Sequence, residues 1–222
     1  MPEHGLSVVT AMRLDLGNGF ELRHARASDR DALCRVCLMT GDAGQDASGR
    51  EDDPDLVGMV FAVPYVVLEP DFAYAVEGQS GVCGYLFGAP DTVSFNERFE
   101  REWLPALQQK VRKSGCEQSH WQGSDWVRHL IHHPPTNFPP ALHPYPAHAH
   151  IDLLPEARGC SIGRKGMTHI CERLAAAGAT GVHLQVNPRN IGAQAFYEKL
   201  GFAPLADPSL PHDTTFMVKR LP

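Results

Sequence analysis

The sequence contains no run of about 18 apolar residues, the length that a membrane-spanning helix needs. Its first ten residues also lack the basic segment and long apolar stretch of a secretory signal. Positive charge is scarce, because 20 Lys and Arg stand against 26 Asp and Glu, for a formal net charge of −6. General binding to nucleic acid or to an anionic membrane surface needs clustered positive charge. We therefore expect neither nucleic acid nor membrane among the partners.

A disulfide framework is also missing. The six cysteines of the 222-residue chain are not spaced as in small disulfide-rich secreted domains: Cys34, Cys37, Cys83, Cys116, Cys160 and Cys171. Cys34 and Cys37 form a single C-x-x-C within an apolar helical pattern, and no second pair follows. This pattern predicts reduced, packed thiols in a cytoplasmic protein, with a redox or metal pair as the alternative.

What is present is an ordinary globular composition, with 43% hydrophobic and 21% charged residues, together with 12 His and 18 Pro. Hydrophobic periodicity predicts an α/β fold with a mixed sheet. The predicted strands lie at 20–23, 71–76, 82–89, 147–154, 181–186, 202–205 and 214–220. The predicted helices span about 28–40, 94–113, 163–177 and 190–200. Between residues 114 and 146 we predict a loop-rich insertion, within a broader inserted region of 91–146.

The strand predicted at 147–154 has one polar face, because His148, His150 and Asp152 alternate with apolar residues. A turn of small residues follows over 158–164 and leads directly into a helix. The free amides of such a turn and the helix dipole favour an anion, and a diphosphate fits this pattern. A plain strand-to-helix turn with solvated arginines remains the alternative interpretation.

A second motif follows in the order N-x-x-A-x-x-x-Y-x-x-x-G-F, formed by Asn190, Ala193, Tyr197, Gly201 and Phe202. Together with R-G-x-x-x-G at 158–163, it resembles the GNAT acetyltransferase superfamily. A narrower resemblance, to the C-terminal acetyltransferase-like domain of O-GlcNAcases, involves Leu22-Arg23 with the helix after it and segments 55–58, 83–85, 103–105 and 196–201. Ser161 stands where the superfamily usually has glycine. The resemblance covers only that domain, so it implies no glycosidase activity.

The resemblance implies a mostly antiparallel GNAT-like sheet flanked by helices, in a single domain over 1–222 whose coenzyme-binding part is 147–202. It implies acetyl-CoA as cosubstrate, held by Ile151, Leu153, Leu154, Arg158, Gly159, Cys160, Ser161, Ile162, Gly163, Arg164, Asn190, Ala193, Phe196 and Tyr197. We predict Tyr197 as general acid, Asp152 as the first candidate for general base and His150 as the second.

The implied reaction is direct transfer of acetyl to a small amine, a lysine or an N-terminal amine, by a monomer or homodimer. The alternative is a module that binds acetyl-CoA without efficient catalysis. His129, His132 and His133 have helical spacing, but no carboxylate or cysteine completes a ligand set, so we predict no metal. We expect the insertion, with Trp121, Trp126 and Phe138, to form a lid that shapes the acceptor pocket.

Overall fold

The computed structural model describes residues 12–135 and 137–222. The prediction that the N-terminus lacks a secretory signal concerns residues outside this range. The strands are β1 (Arg13–Gly17), β2 (Phe20–His24), β3 (Ala73–Gly78), β4 (Gly81–Ala89), β5 (Ala147–Leu153), β6 (Gly181–Val186), β7 (Ala203–Leu205) and β8 (Thr215–Arg220). They form one sheet in the order β1-β2-β3-β4-β5-β6-β8-β7. Strands β5 and β6 pair in parallel, and every other neighbouring pair is antiparallel.

The helices are α1 (Arg30–Thr40), α2 (Leu56–Phe61), α3 (Val63–Leu68), α4 (Thr92–Arg98), α5 (Leu104–Lys110), α6 (Asp125–His132), α7 (Ile162–Ala176) and α8 (Ile191–Glu198). They flank the sheet, and helices α1 and α7 pack against strands β4 and β5. The predicted mixed, mostly antiparallel sheet flanked by helices is confirmed. Within the described residues no helix is long and apolar enough to span a membrane.

Strand β1 was missing from the sequence prediction. Its signal was available, because Leu14 and Leu16 alternate with polar residues ahead of the turn Gly17-Asn18-Gly19. All three turn residues have positive φ, which glycine and asparagine tolerate best. A five-residue strand at the sheet edge is easily overlooked when its pattern is this short.

The helix predicted over 94–113 is interrupted. Helix α4 continues through a π-helical segment, Phe99–Trp103, into α5. Such wide turns occur where a helix accommodates an extra residue. The indole of Trp103 at the end of this segment donates to the carbonyl of Met59 (2.8 Å), which ties the helix to α2 beside the polar face of β5.

The two cysteines of the C-x-x-C motif are packed thiols, as predicted. Cys34 and Cys37 are free and buried on α1. Helix α2 crosses α1 closely at this point, since a Cβ on Gly58 would lie 2.5 Å from the Cα of Cys34. Burial raises the pKa of the Cys34 thiol to about 11, which disfavours the reactive thiolate.

Candidate active site

Strands β5 and β6 separate soon after they begin. Only two residue pairs join them, Ala147 with Val182 and His148 with His183. Beyond His148 the backbone of β5 has lost its neighbour on one side, although the strand continues to Leu153. A parallel pair that splits in this way leaves a wedge in the sheet whose walls carry unpaired backbone groups.

The alternation of backbone hydrogen bonds shows which groups face the wedge. The Leu154 amide donates to the Cys83 carbonyl (2.8 Å), and the antiparallel register places Asp152 opposite Tyr85. The backbones of Ile151 and Leu153 therefore point away from β4, toward the wedge. Leu154 is different, because its carbonyl accepts from the Ala157 amide (3.0 Å), so both its backbone groups have partners. The structure thus favours Ile151 and Leu153 over Leu154 as ligand contacts.

The turn predicted to bind an anion follows the end of β5. Gly159 (φ 78°) and Ser161 (φ 62°) both adopt left-handed backbone conformations. The first helical hydrogen bond of α7 runs from the Lys165 amide to the Ser161 carbonyl (3.0 Å). The amides of Ile162, Gly163 and Arg164 precede that bond, so they have no carbonyl within the helix to bind.

The positive side chains around this turn have different contacts. Arg158 donates to the carbonyls of Leu153 (2.7 Å) and Gly44 (2.9 Å), joining the end of β5 to the loop after α1. Lys165 donates to the Leu16 carbonyl (2.7 Å), and Arg164 is exposed on the first turn of α7. Cys160 is half-buried within the turn. The site thus combines open amides with at least one solvated cation.

Helix α8 closes the other side of the wedge. Asn190 is its N-cap, because its side-chain oxygen accepts from the Ala193 amide (3.0 Å), and this contact fixes where the helix begins. Phe196 reaches α7, where a Cβ on Gly163 would come within 3.1 Å of its ring. Tyr197 is buried between Phe196 and Phe202. Burial, and then the charge of Asp152, raises the pKa of Tyr197. Within the described residues its hydroxyl makes no hydrogen bond.

The polar face of β5 carries a connected cluster. His150 Nε2 lies 3.1 Å from Oδ2 of Asp152, and the Tyr85 hydroxyl donates to the same oxygen. Tyr85 is fully buried on β4, whereas the Asp152 side chain is 23% exposed. The second carboxylate oxygen, Oδ1, has no hydrogen-bond partner among residues 12–135 and 137–222. One oxygen of Asp152 is held and the other is open.

The second nitrogen of His150 faces a backbone carbonyl. Nδ1 lies 3.2 Å from the carbonyl of Phe61, the last residue of α2. The helix breaks there because Pro64 cannot continue it. As a result the Tyr65 amide donates to Ala62 (3.3 Å), and the Phe61 carbonyl is left for His150. The helix break before Pro64 therefore supplies a contact of the site.

Both ring nitrogens of His150 face acceptors, so the geometry suits the imidazolium form, which donates from both. Burial would lower the pKa of His150, but the charge and hydrogen bond of Asp152 outweigh that effect and raise it. In that imidazolium form His150 cannot accept another proton. Asp152, with its open Oδ1, is therefore the better placed of the two candidate bases.

His148 lies on the same face but has a different environment. Thr92 donates its hydroxyl proton to the Pro146 carbonyl (2.7 Å), so its oxygen accepts from Nδ1 of His148 (2.9 Å). Nε2 then accepts from the Tyr65 hydroxyl (2.8 Å). Burial, and then the nearby His183 and His150, lower the pKa of His148 to about 3. It is a neutral histidine inside a hydrogen-bonded core.

Helix α6 anchors the predicted insertion to the rest of the fold. Arg128 of α6 donates to both carboxylate oxygens of Asp52 (3.0 and 2.9 Å), and Val127 and Ile131 are fully buried. Trp126 stacks on Phe61, whose carbonyl contacts His150, so the helix does border the polar cluster. In the part of the chain that the structure describes, no three metal-ligating side chains come together.

Comparison with known proteins agrees with this geometry. The family model of the GNAT acetyltransferases matches residues 130–202. The solved structure of SsHAT is 32% identical, covers 91% of this chain and 98% of its own, and superposes with a TM-score of 0.82. This chain belongs to the GNAT acetyltransferase family.

Two further proteins are similar to this GNAT protein at lower sequence identity. The O-GlcNAcase of Rattus norvegicus is 22% identical over 204 residues, which are 91% of this chain but only 22% of that protein. This chain thus spans about a fifth of the length of its curated relative. A phosphinothricin acetyltransferase from Sinorhizobium meliloti, solved with acetyl-CoA, is 17% identical with a TM-score of 0.52, covering 91% of this chain and 89% of its own. At that identity it shares the fold.

Two contributors to the cluster were not predicted from the sequence, Tyr85 and the Phe61 carbonyl. Tyr85 had a signal, because a polar hydroxyl stands among apolar residues on β4, the strand predicted next to the polar one. The carbonyl had none, since its position depends on how α2 ends relative to β5.

Proposed function

We propose that this protein transfers the acetyl group of acetyl-CoA directly to an amine. The observation that carries the proposal is the placement of Asp152. Its open oxygen lies on the strand whose other edge lines the wedge, and the charge of Asp152 is, after burial, the second cause that raises the pKa of Tyr197. A proton acceptor and a proton donor thus flank one position at the wedge.

The chain fits acetyl-CoA at two places. The wedge offers the backbone of Ile151 and Leu153 to a pantetheine amide, and the turn over 158–164 offers amides and Arg164 to a diphosphate. Gly159 supports this, because a Cβ at that position would meet nothing within 4 Å, so the turn is open to a ligand. When bound, acetyl-CoA supplies an activated thioester. The Leu153 carbonyl already accepts from Arg158 (2.7 Å) and retains a second lone pair for a ligand donor.

The residues then have separable roles. Asp152 accepts the proton of the attacking amine on Oδ1, while His150 holds Oδ2 and keeps the carboxylate oriented. Tyr197 holds its proton at neutral pH, as a tyrosine with an ordinary pKa of about 10 does, and its raised pKa strengthens that preference, so it can donate to the departing thiolate. The acceptor enters from the side of Phe61 and Trp126, whose stacked rings form an apolar wall.

The decisive experiment measures release of coenzyme A from acetyl-CoA with a panel of amines. The panel contains a polyamine, simple primary amines, a lysine peptide and peptides with free N-termini, and acetyl-CoA binding is measured by calorimetry in parallel. Amine-dependent release supports the proposal. Binding without release for any amine supports the alternative, a module that holds acetyl-CoA without catalysis. Failure to bind acetyl-CoA contradicts both.

One set of contacts bears on the coenzyme affinity of an enzyme and of a binding module alike. Arg158 occupies the Leu153 carbonyl in this structure, and Leu154 has no free backbone group. A coenzyme that displaces these contacts binds less tightly, because part of the binding free energy is used to break them. The intact Asp152 and Tyr197 pair is the reason for ranking catalysis first.

A further inference from the structure

Tyr85 makes an unusual contact for a core tyrosine. Its ring is fully buried and stacks on Phe87 (centroids 4.4 Å apart), as a structural residue would. Its hydroxyl, however, donates to Asp152 Oδ2, which is also the oxygen that faces His150. The same hydroxyl lies against the buried thiol of Cys37 on α1. Tyr85 therefore links the interior of the protein to the Asp152 carboxylate on the polar face of β5.

The two contacts on Oδ2 have a geometric consequence. A carboxylate that rotated freely would present either oxygen to an incoming amine. With Tyr85 and His150 both donating to Oδ2, the carboxyl plane is fixed and Oδ1 alone faces outward. Fixing a proton acceptor in its reactive orientation removes an entropic cost from the barrier.

We propose that Tyr85 is a positioning residue for acetyl transfer, holding Oδ2 of Asp152 so that Oδ1 is the oxygen that accepts the amine proton. The proposal rests on the proposed function for its catalytic consequence. The arrangement of hydrogen bonds itself can be measured without any activity. His150 reports on it, because His150 and Tyr85 share one oxygen.

The test is an NMR titration of the His150 ring in the wild type, Tyr85→Phe and Tyr74→Phe. Removing the Tyr85 hydroxyl leaves Oδ2 with one donor instead of two, so the carboxylate stabilises the imidazolium more strongly. We expect the titration midpoint of His150 to rise by about 0.5–1 pH unit in Tyr85→Phe. Tyr74→Phe is the matched control, since Tyr74 is fully buried on the neighbouring strand and donates to the Asp71 carbonyl (2.8 Å). Its midpoint should equal that of the wild type.

An unchanged His150 midpoint in folded Tyr85→Phe overturns the proposal. If that variant does not fold, the wild type still decides. The Tyr85 hydroxyl proton should exchange slowly with water, and should exchange rapidly in Asp152→Ala. A rapidly exchanging hydroxyl in the wild type overturns the proposal as well.

A kinetic measurement adds the functional consequence. With the amine that supports release of coenzyme A, Tyr85→Phe should lower kcat about tenfold and leave KM for acetyl-CoA unchanged. A changed His150 midpoint with wild-type kcat contradicts the positioning role. If no amine supports release even in the wild type, the proposed function fails, while the titration still tests whether Tyr85 holds Asp152.

Discussion

His148 and His150 are two residues apart on one strand face, yet the protein uses them in opposite ways. His148 is surrounded by neutral hydroxyls that match one donor and one acceptor, so it stays neutral. His150 lies between a carbonyl and a carboxylate, so it is suited to a positive charge. The difference shows that the role of a histidine depends on the elements packed over the strand. Helix α3 and Thr92 surround His148, whereas the end of α2 and Asp152 surround His150.

Replacing Asp152 tests the charged environment of His150 and should have the largest effect on acetyl transfer. Asp152→Asn keeps the shape but removes the proton acceptor and the partner of His150. We expect acetyl transfer to fall about 10³-fold, within the range for loss of a general base. Calorimetry should give an acetyl-CoA affinity close to that of the wild type. A variant with wild-type turnover would exclude Asp152 as the base.

Tyr197→Phe tests the proton donor on the other side of the wedge. Transfer should slow by about 10²-fold, because the thiolate must then leave without a positioned acid. The acetyl-CoA affinity should remain nearly intact, since the ring still packs between Phe196 and Phe202. Tyr145→Phe is the control, because Tyr145 packs in a separate cluster with Leu142 and Phe216. Unchanged turnover in Tyr197→Phe would remove Tyr197 from the mechanism.

The two histidines should also give opposite dependences of stability on pH. His148 has a folded pKa of about 3, below its unfolded value near 6.5, so its contribution is present above pH 6.5 and is lost as the pH falls. At pH 5 the loss amounts to about 2 kcal/mol. His150 has a raised folded pKa, so its contribution is present below pH 6.5 and is lost as the pH rises through that folded pKa.

Urea unfolding between pH 5 and pH 8 measures these contributions. Toward pH 5 the free energy of unfolding should fall less in His148→Gln than in the wild type. Above pH 6.5 the free energy of unfolding should fall less in His150→Gln than in the wild type. Identical pH profiles for the two variants would show that the two environments do not differ.

The sequence predicted most of the fold and the residues now proposed for the site. It could name Tyr197, Asp152 and the turn at 158–164 because each belongs to a short contiguous pattern. Tyr85 and the Phe61 carbonyl were missed because they reach Asp152 and His150 across 67 and 89 positions of sequence. The same limit kept the sequence from predicting that His148 is neutral whereas His150 suits a positive charge, since their partners come from elements far along the chain.

Substitutions in the turn at 158–164 should have the smallest effect. Ser161 adopts a left-handed conformation that costs a residue with a side chain about 1 kcal/mol, and glycine's greater chain entropy offsets much of that gain. Ser161→Gly should therefore stabilise the protein by no more than about 0.5 kcal/mol. Gly159→Ala, at the neighbouring left-handed position, should destabilise it by about 1 kcal/mol. Thermal unfolding compares the two, and a large loss of stability in Ser161→Gly would contradict the conformation of the turn.

The protonation of the two histidine rings tests the central distinction most directly. Nitrogen NMR of the wild type at pH 6 should show His150 protonated on both ring nitrogens. In the same spectrum, His148 should carry a proton on Nδ1 alone. That result would leave Asp152 as the proton acceptor on this strand. A neutral His150 with an unprotonated ring nitrogen at pH 6 would contradict the account and return His150 to the role of base.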